Sequence, residues 1–525
     1  MKSILVYDTT LRDGSQGEKI NFSAEDKLRI AQRLDAMGIH YIEGGWPGSN
    51  PKDVRFFELA KKVHFKHARL AAFGSTRKPN TRVEEDKNII ALLESQTPAV
   101  TIFGKSWDLH VKKVIGTTLK ENLAMIHDSV AYLHSKGREV IYDAEHFFDG
   151  YKKNPGYAAK TIEAAVSSGA DVIVLCDTNG GALPFEIEEI MERICQRIPV
   201  KVGIHTHNDC GLAVANTLMA VRAGAVMVQG TVNGYGERCG NADLTTVIPD
   251  LQHKMGLSCM SKKDLRHLTE LSRYVSEVAN MTPFNGRPFV GKSAFAHKGG
   301  IHVNAIMKTP KAYEHIEPGV IGNERRVLIS DLSGKSNIDY KAKELGIELG
   351  GNGFDSKRIA KEIKQLEHEG YQFDAAEGSF ELLLKKLTGQ FEPLFQLESF
   401  RVAIEKEKDL PCRAYATIKI SVGDQEEITA AEGTGPVNAL DNALRKALNK
   451  FFSVDLEKVQ LVDFKVRVIE GREGTGARVK VFIESRDQKR LWSTIGVSTD
   501  VIEASWEALE DSFQYKLAHM RTPES

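Results

Sequence analysis

Short apolar runs rich in β-branched residues recur through the first half of the chain, separated by amphipathic stretches of helical period. One such stretch begins after Ser23 and ends at Gly38, which are typical helix-capping residues. Strands that alternate with helices form βαβ units with parallel pairing. The eight predicted strands are ILVY from Ile4, YIEGG from Tyr41, RLAAF from Arg69, VTIF from Val100, EVIY from Glu139, DVIVLC from Asp171, KVGIH from Lys201 and VMVQG from Val226.

Eight such units within roughly 250 residues are typical of a closed barrel. We therefore predict a TIM (β/α)8 barrel over residues 1–265. A doubly wound open sheet is the alternative, but no G-x-G-x-x-G motif follows the first strand. The next segment, 266–392, is polar with helical patterns and Gly/Pro-rich breaks, and we interpret it as linker subdomains without a second large core.

Strand patterns return after the linker, and the last segment, 393–525, contains an internal repeat. EITAAEGTGPVNALDNALRKAL resembles LWSTIGVSTDVIEASWEALEDSF, since each reads as a strand, a turn and an amphipathic helix. Ala439 and Leu444 of the first helix align with Ala504 and Leu509 of the second. The repeat predicts an α+β domain with pseudo-two-fold symmetry. It holds no catalytic cluster of titratable groups, so binding or assembly is its expected role.

Composition and charge narrow the class of protein further. With 70 basic and 71 acidic residues, the formal charge of −1 gives no reason to expect nucleic acid or an anionic membrane as a partner. No apolar run approaches transmembrane length, the N-terminal segment lacks a signal-peptide core, and the six cysteines lack C-x-x-C spacing. We expect a soluble cytoplasmic protein with reduced thiols.

Barrel enzymes carry their chemistry where the strands end. Strands 1, 2, 5, 6, 7 and 8 end here in DTTLRDG, EGGWP, DAEHF, CDTNG, HTHND and NGYGERCGN. His205 and His207 lie two apart on one strand, so both side chains point to the same face. An isolated H-x-H is more often a pair of unrelated histidines. Asp13 ends strand 1, however, and only strand 8 separates strands 7 and 1 in a closed barrel, which predicts a divalent-metal site on these three residues.

Other polar residues are predicted at this rim, and each of them has two possible interpretations, one structural and one functional. Arg12, beside Asp13, is either a surface arginine or a group that stabilises an oxyanion. Glu43 and Glu145 are either solvated acids or proton relays near a cation. Thr178 suits the N-cap of a helix, and it also suits a hydrogen bond to a substrate carboxylate.

Six motifs are distributed over almost the whole chain. They are DTTLRDGSQ (Asp8–Gln16), HTHND (His205–Asp209), GERCGNADL (Gly236–Leu244), AFAHKGGIHVNAI (Ala294–Ile306), YEHIEPGVIG (Tyr313–Gly322) and EGTGPVNAL (Glu432–Leu440). In type and order these motifs resemble the DRE-TIM metallolyase superfamily, and within it the Claisen-condensing branch of 2-isopropylmalate, homocitrate and citramalate synthases. Three further segments, EGGWPGSNPKD, DAEHFFDGYK and IEASWEALEDS, are most similar to the citramalate-forming members.

The resemblance implies a role for the residues around the metal. Asp13, His205 and His207 would hold Mg²⁺, Mn²⁺ or Zn²⁺, with Asn241 of the GERCGN motif as a fourth or nearby ligand. Arg12 would bind the substrate and stabilise the alkoxide that develops during the reaction.

The resemblance also implies roles for residues beyond the metal. Glu43 would help to bind the substrate and, with Glu145, organise the network on the metal side, while Thr178 would hydrogen-bond the carboxylate of a 2-oxo acid. His302 and Tyr313 would enter the site from the linker of the partner chain in a homodimer. Glu145, His302 and Tyr313 would be catalytic, with His302 our candidate for the base or part of its relay.

The implied reaction condenses acetyl-CoA with a 2-oxo acid and then hydrolyses the thioester. We expect pyruvate, giving citramalate for isoleucine biosynthesis; the alternative is 2-oxoisovalerate, giving 2-isopropylmalate for leucine. The two acids differ by two methyl groups, worth only about 1.5 kcal/mol of burial, so steric exclusion has to decide. The C-terminal domain resembles an allosteric module, with isoleucine the expected effector. Asp143 departs from the serine or aromatic residue of some members and leaves the substrate pocket undefined.

Two other activities use similar ligands. A C–C lyase or aldolase could occupy the same barrel, but such relatives commonly lack the repeat domain. An iron oxygenase with two histidines and one carboxylate is the other, but that triad usually sits on a double-stranded β-helix.

Overall fold

The computed structural model describes residues 3–349, 355–452, 456–469 and 476–521. The chain divides into two compact units. The first comprises Met1–Phe295 and Ile316–Glu324, and the second comprises Ala296–His315 and Arg325–Ser525. The boundaries predicted at 265/266 and 392/393 stay a prediction.

Eight parallel strands form a closed barrel in the first unit, as the alternating pattern predicted. The last strand of the barrel pairs with the first, with Leu5 opposite Met227 and Asp8 opposite Gly230, so the eight described strands of the barrel leave no open edge. The strands are β1 (Leu5–Asp8), β2 (Tyr41–Gly45), β3 (Arg69–Ser75), β4 (Ala99–Lys105), β5 (Glu139–Glu145), β6 (Val172–Asp177), β7 (Lys201–Thr206) and β8 (Met227–Gly230).

Helices surround the barrel and cover its outer apolar side chains. The Ser23 hydroxyl accepts from the Asp26 N–H at the start of the first helix, and Gly38 adopts φ +76° beyond its end, so both predicted capping positions are confirmed. The helices are α1 (Ala24–Ala36), α2 (Pro51–Ala60), α3 (Lys87–Glu94), α4 (Asp108–His110), α5 (Leu119–Ser135), α6 (Phe147–Lys153), α7 (Pro155–Ser167), α8 (Pro184–Arg197), α9 (Ala213–Arg222), α10 (Leu244–Pro249), α11 (Lys262–Leu265) and α12 (Leu268–Val278).

Alternate residues of the strands point into the barrel and form a separate small core. Tyr7, Tyr41, Ile141, Val174 and Met227 are among its buried members. This apolar layer leaves the C-terminal ends of the strands to polar side chains, which is where a barrel places its reactive groups.

Helices dominate the first part of the second unit, beside a two-stranded parallel pair. They bury a small core that includes Ile338, Ile359, Phe373, Phe380 and Leu384. The strands are β9 (Ala296–His297) and β10 (Arg326–Val327), and the helices are α13 (Gly300–Lys308), α14 (Lys335–Glu344), α15 (Ser356–His368) and α16 (Glu377–Thr388).

Two copies of a β-β-β-α motif end the chain. The first copy contains β11 (Gln396–Glu405), β12 (Arg413–Val422), β13 (Gln425–Gly433) and α17 (Pro436–Leu448); the second contains β14 (Gln460–Val468), β15 (Val479–Arg486), β16 (Leu491–Ser498) and α18 (Val501–Arg521). Each sheet is antiparallel in chain order. The aligned residues Ala439, Leu444, Ala504 and Leu509 are all buried in one shared core, which confirms the predicted α+β domain and its internal repeat.

None of the helices among the described residues combines the length and apolar character that a membrane span requires.

Candidate active site

Three predicted ligands converge at the C-terminal end of the barrel. Asp13 follows β1, His205 lies in β7 and His207 follows it, and all three side chains are buried. The Nε2 atom of His205 lies 3.2 Å from Asp13 Oδ2 and 3.3 Å from His207 Nε2. The segment after β8 folds back along the end of β7, where Asn241 forms an antiparallel bridge with His207. Its Nδ2 donates to Asp13 Oδ2 at 3.0 Å.

The spacing of these atoms fits a divalent cation. Donor atoms about 2.1 Å from one ion lie about 3.0–3.4 Å from each other. The two distances from His205 Nε2, to Asp13 and to His207, fall in this range. Candidate donor atoms of all three residues lie within 4.8 Å of one another. Within the described part of the chain, the buried Oδ1 of Asn241 has no hydrogen-bond partner, while its Nδ2 faces the cluster. A carboxylate with two imidazoles is a donor set for a Lewis-acid metal.

The protonation states of two of the three residues, Asp13 and His207, also favour cation binding. Burial alone would raise the pKa of Asp13, but the Arg12 charge and the two imidazoles hold it well below its usual range. Burial, together with the neighbouring His205, lowers the pKa of His207 to about 3. Asp13 is therefore ionised and His207 neutral near pH 7, as metal ligands must be.

Arg12 is held beside the cluster by a carboxylate and an aromatic ring. Its Nε donates to Glu43 Oε1 at 2.6 Å, and its Nη1 lies 3.3 Å from Asp13 Oδ1. The second oxygen of Glu43 accepts from the Tyr7 hydroxyl at 2.7 Å. The guanidinium carbon lies 3.8 Å from the centre of the Phe73 ring. Glu43 thus orients Arg12. The sequence did not indicate that Tyr7 and Phe73 take part in this arrangement.

Two further predicted residues occupy neighbouring strand ends. Glu145 forms an ion pair with Lys105, its partner in the β4–β5 register. The next residue, His146, adopts a left-handed conformation (φ 56°) and donates its N–H to Thr178 Oγ1 at 2.9 Å. Since the Thr178 hydroxyl accepts this bond, its own proton is free to donate to a substrate.

The N-cap interpretation of Thr178 is wrong. The following helix, α8, begins at Pro184 with Leu183 in the N-cap position. Asp177 is the last residue of β6, and Thr178, Asn179 and Gly180 form a turn in which the Gly180 N–H donates to the Asp177 carbonyl at 3.0 Å.

A clamp that the sequence analysis missed ties three loops together. Arg238 donates to both carboxylate oxygens of Asp209, at 2.7 and 2.9 Å, and to the Thr178 carbonyl at 2.7 Å. Its φ of 56° places this non-glycine residue in the left-handed region. Asp209 lies in the HTHND motif and Arg238 lies in the GERCGN motif. The proximity of these two motifs to each other was the signal that could have indicated the ion pair.

Models of three domain families match the chain consecutively. The HMGL-like family, whose members depend on divalent metals, matches residues 3–275; the homocitrate synthase post-HMGL domain-like family matches 289–371; and the LeuA allosteric (dimerisation) domain matches 374–517.

Curated relatives match along the whole chain. An (R)-citramalate synthase from Aquifex aeolicus is 54% identical over 519 residues, covering 98% of each protein. Another from Geobacter sulfurreducens is 52% identical over 518 residues, again covering 98% of each. The chain belongs to the (R)-citramalate synthase family. A 2-isopropylmalate synthase from Methanocaldococcus jannaschii is more distant, at 30% identity over 98% of this chain and 95% of that protein.

His302 and Tyr313 belong to the second unit, where they form a pair. Their rings stack with centroids 4.3 Å apart, and both side chains are exposed. The neighbouring Glu314 is buried and accepts two bonds of 2.6 Å from Arg325. This ion pair fixes the backbone next to Tyr313 and so holds the stacked rings of His302 and Tyr313 in place at the surface of the second unit.

Proposed function

We propose that this chain condenses acetyl-CoA with pyruvate and hydrolyses the thioester, giving (R)-citramalate and CoA for isoleucine biosynthesis. The full-length relatives named (R)-citramalate synthase support the reaction. The observation that carries the proposal is the buried cluster of Asp13, His205 and His207 with the Arg12 guanidinium 3.3 Å from its carboxylate. A cation site beside a fixed positive charge suits a reaction that turns a ketone into an alkoxide.

We infer that Asp13, His205 and His207 hold Mg²⁺, Mn²⁺ or Zn²⁺ in this family of metal-dependent enzymes. When bound, the ion would polarise the keto group of the oxo acid. Asn241 turns its Nδ2 toward Asp13. Exchanging the two ends of its amide would present Oδ1 instead, which makes Asn241 a candidate fourth ligand.

The remaining residues have two roles, which are substrate binding and proton transfer. Thr178 donates its hydroxyl to the oxo-acid carboxylate, and Arg12, oriented by Glu43, neutralises the charge that develops on the former ketone oxygen. Glu145, with His302 and Tyr313, serves proton removal from the acetyl methyl group. The resulting enolate carbon attacks the ketone carbon, and water then attacks the thioester and releases CoA.

A cluster of three aromatic side chains, one of which contacts Arg12, supports pyruvate as the oxo acid. Phe73 lies under the guanidinium and stacks on Phe103, with centroids 5.5 Å apart. The Trp46 ring meets both edge-on, at 5.7 and 5.6 Å. Such a wall leaves room for a methyl group more readily than for a branched chain.

Release of CoA thiol tests the reaction and its substrate together. We expect kcat/KM for pyruvate to exceed that for 2-oxoisovalerate about 100-fold, with 2-oxobutyrate between them, because a wall of rings excludes the branch. The assay uses acetyl-CoA, Mn²⁺ and each oxo acid in turn. A larger kcat/KM for 2-oxoisovalerate would overturn the choice of pyruvate. Absence of thiol with every oxo acid would overturn the condensation itself.

We also infer that the enzyme is a homodimer in which His302 and Tyr313 complete the partner's site. The match to the LeuA allosteric (dimerisation) domain and the exposure of both side chains support this arrangement.

Complementation between inactive variants tests the exchange of residues. Asp13→Ala and His302→Ala are each expected to be inactive alone. A heterodimer of the two, isolated through different affinity tags, should regain about half of the wild-type rate, because one of its two sites keeps both residues. A heterodimer as inactive as its parents would place Asp13 and His302 of one chain in the same site.

Residues 374–517 are the proposed sensor of the pathway's end product. Their match to the LeuA allosteric (dimerisation) domain supports a regulatory role. With citramalate as the product, isoleucine is the effector that we infer.

A further inference from the structure

Asp143 lies on β5, and in the sequence it was the residue that left the substrate pocket undefined. In the structure Asp143 has a hydrogen-bond partner inside the barrel. Asp143 and Gln229 are both buried. The Nε2 of Gln229 donates to Asp143 Oδ1 at 3.1 Å. The other end of the same amide, Oε1, lies 2.8 Å from Nδ1 of His205. Gln229 and His205 are direct neighbours in the β7–β8 register, so this contact is set by the barrel itself.

The chemistry of an amide makes this chain of contacts directional. In the structure the NH₂ end of Gln229 donates to an accepting oxygen of Asp143, which fixes the orientation of the amide. The amide oxygen then faces His205, and Nδ1 of His205 has to carry the proton. With the proton on Nδ1, the lone pair of Nε2 points toward Asp13 and His207.

The opposite tautomer of His205 is disfavoured by the contact of Nδ1 with Gln229. It would leave the lone pair of Nδ1 against the Gln229 oxygen, so two acceptors would face each other at 2.8 Å in a buried site. It would also place a proton on Nε2, where a cation has to bind.

We propose that Asp143 is a positioning residue that acts through Gln229 to hold His205 in the tautomer that binds metal. The proposal rests on the metal site inferred above. Asp143 thus supports the cation site through its contact with Gln229. This gives a role to the residue that stands here in place of the serine or aromatic residue of some members.

Metal affinity measured without turnover tests the proposal. Loss of an outer partner of a ligating histidine typically weakens metal binding about 10- to 100-fold. Asp143→Leu should therefore raise the Kd for Mn²⁺ by about that factor in calorimetric titration. Asp143→Asn should stay within about threefold of the wild type, since its amide oxygen can still accept from Gln229.

A matched control separates metal affinity from stability. Asp35 is also buried, but it accepts from the backbone N–H groups of residues 66–68. Asp35→Asn should lower the melting temperature and leave the Kd for Mn²⁺ unchanged. If Asp143→Leu does not fold, Gln229→Met tests the same link. Wild-type affinity in the folded Asp143→Leu or Gln229→Met variant would overturn the proposal.

A second readout needs no metal. In the metal-free protein at a pH where the imidazole is neutral, ¹⁵N spectra should show the His205 proton on Nδ1 in the wild type, and a mixture of tautomers in Gln229→Met. A mixture already present in the wild type would contradict the positioning role. If the wild type failed to bind Mn²⁺, the inferred metal site would fall, while these spectra would still decide the tautomer.

Discussion

Replacing Asp13 by alanine is expected to lower thiol release from acetyl-CoA and pyruvate at least about 1,000-fold. Asp13 supplies the carboxylate of the described metal cluster, lying 3.2 Å from His205 Nε2. Arg12 Nη1 lies 3.3 Å from the Asp13 carboxylate. Removing this carboxylate therefore also leaves the positive charge of Arg12 uncompensated beside the cation site. Turnover and Mn²⁺ binding should both be lost, which initial rates and calorimetric titration measure.

The control for this variant is another buried aspartate. Asp35→Ala removes a carboxylate that serves three backbone N–H groups and no side chain of the site. We expect this variant to lose stability and to keep both Mn²⁺ binding and its rate per folded molecule. Asp13→Ala with wild-type turnover would remove the cluster from the mechanism.

Arg12→Lys is expected to lower kcat about 100-fold while Mn²⁺ binding changes by less than about threefold. The guanidinium uses one arm for Glu43, at 2.6 Å, and another for Asp13, at 3.3 Å. A lysine ammonium carries the same charge but lacks the planar fork, so it cannot keep both contacts and the stacking on Phe73. The split between kcat and metal affinity distinguishes this variant from Asp13→Ala.

Arg77→Lys provides the matched control. Arg77 is buried, and like Arg12 its guanidinium contacts two carboxylates: Glu121 at 2.7 Å and Asp128 at 2.8 Å, both on the outer helix α5. We expect kcat to remain within about twofold of the wild type, with stability lowered. An Arg12→Lys enzyme with wild-type kcat would show that charge alone, without geometry, suffices at this position.

The barrel and its three metal-site residues followed from the sequence because local patterns determine them. Each strand is a short apolar run between helices, and eight such runs close into one sheet with β8 beside β1. Closure alone brings Asp13 next to His205, although 192 positions separate them in the printed chain. The spacing of His205 and His207 on one strand then supplies the second imidazole.

The network around those residues was beyond sequence patterns because it depends on which side chains reach one another between strands. Tyr7, Glu43 and Arg12 meet through side-chain reach across the barrel, and so do Asp143 and Gln229. No period along the chain relates such positions. They follow from the strand register, which fixes opposite residues only once the barrel has closed.

Stepwise return of Mn²⁺ to the metal-stripped wild-type protein tests the central claim most directly, with thiol release from acetyl-CoA and pyruvate as the readout. We predict no release from the stripped protein and a rate that rises to a plateau near one equivalent of Mn²⁺ per chain. The Asp13→Ala variant should release no thiol at any point of the titration. Full thiol release before any metal is added would contradict the account.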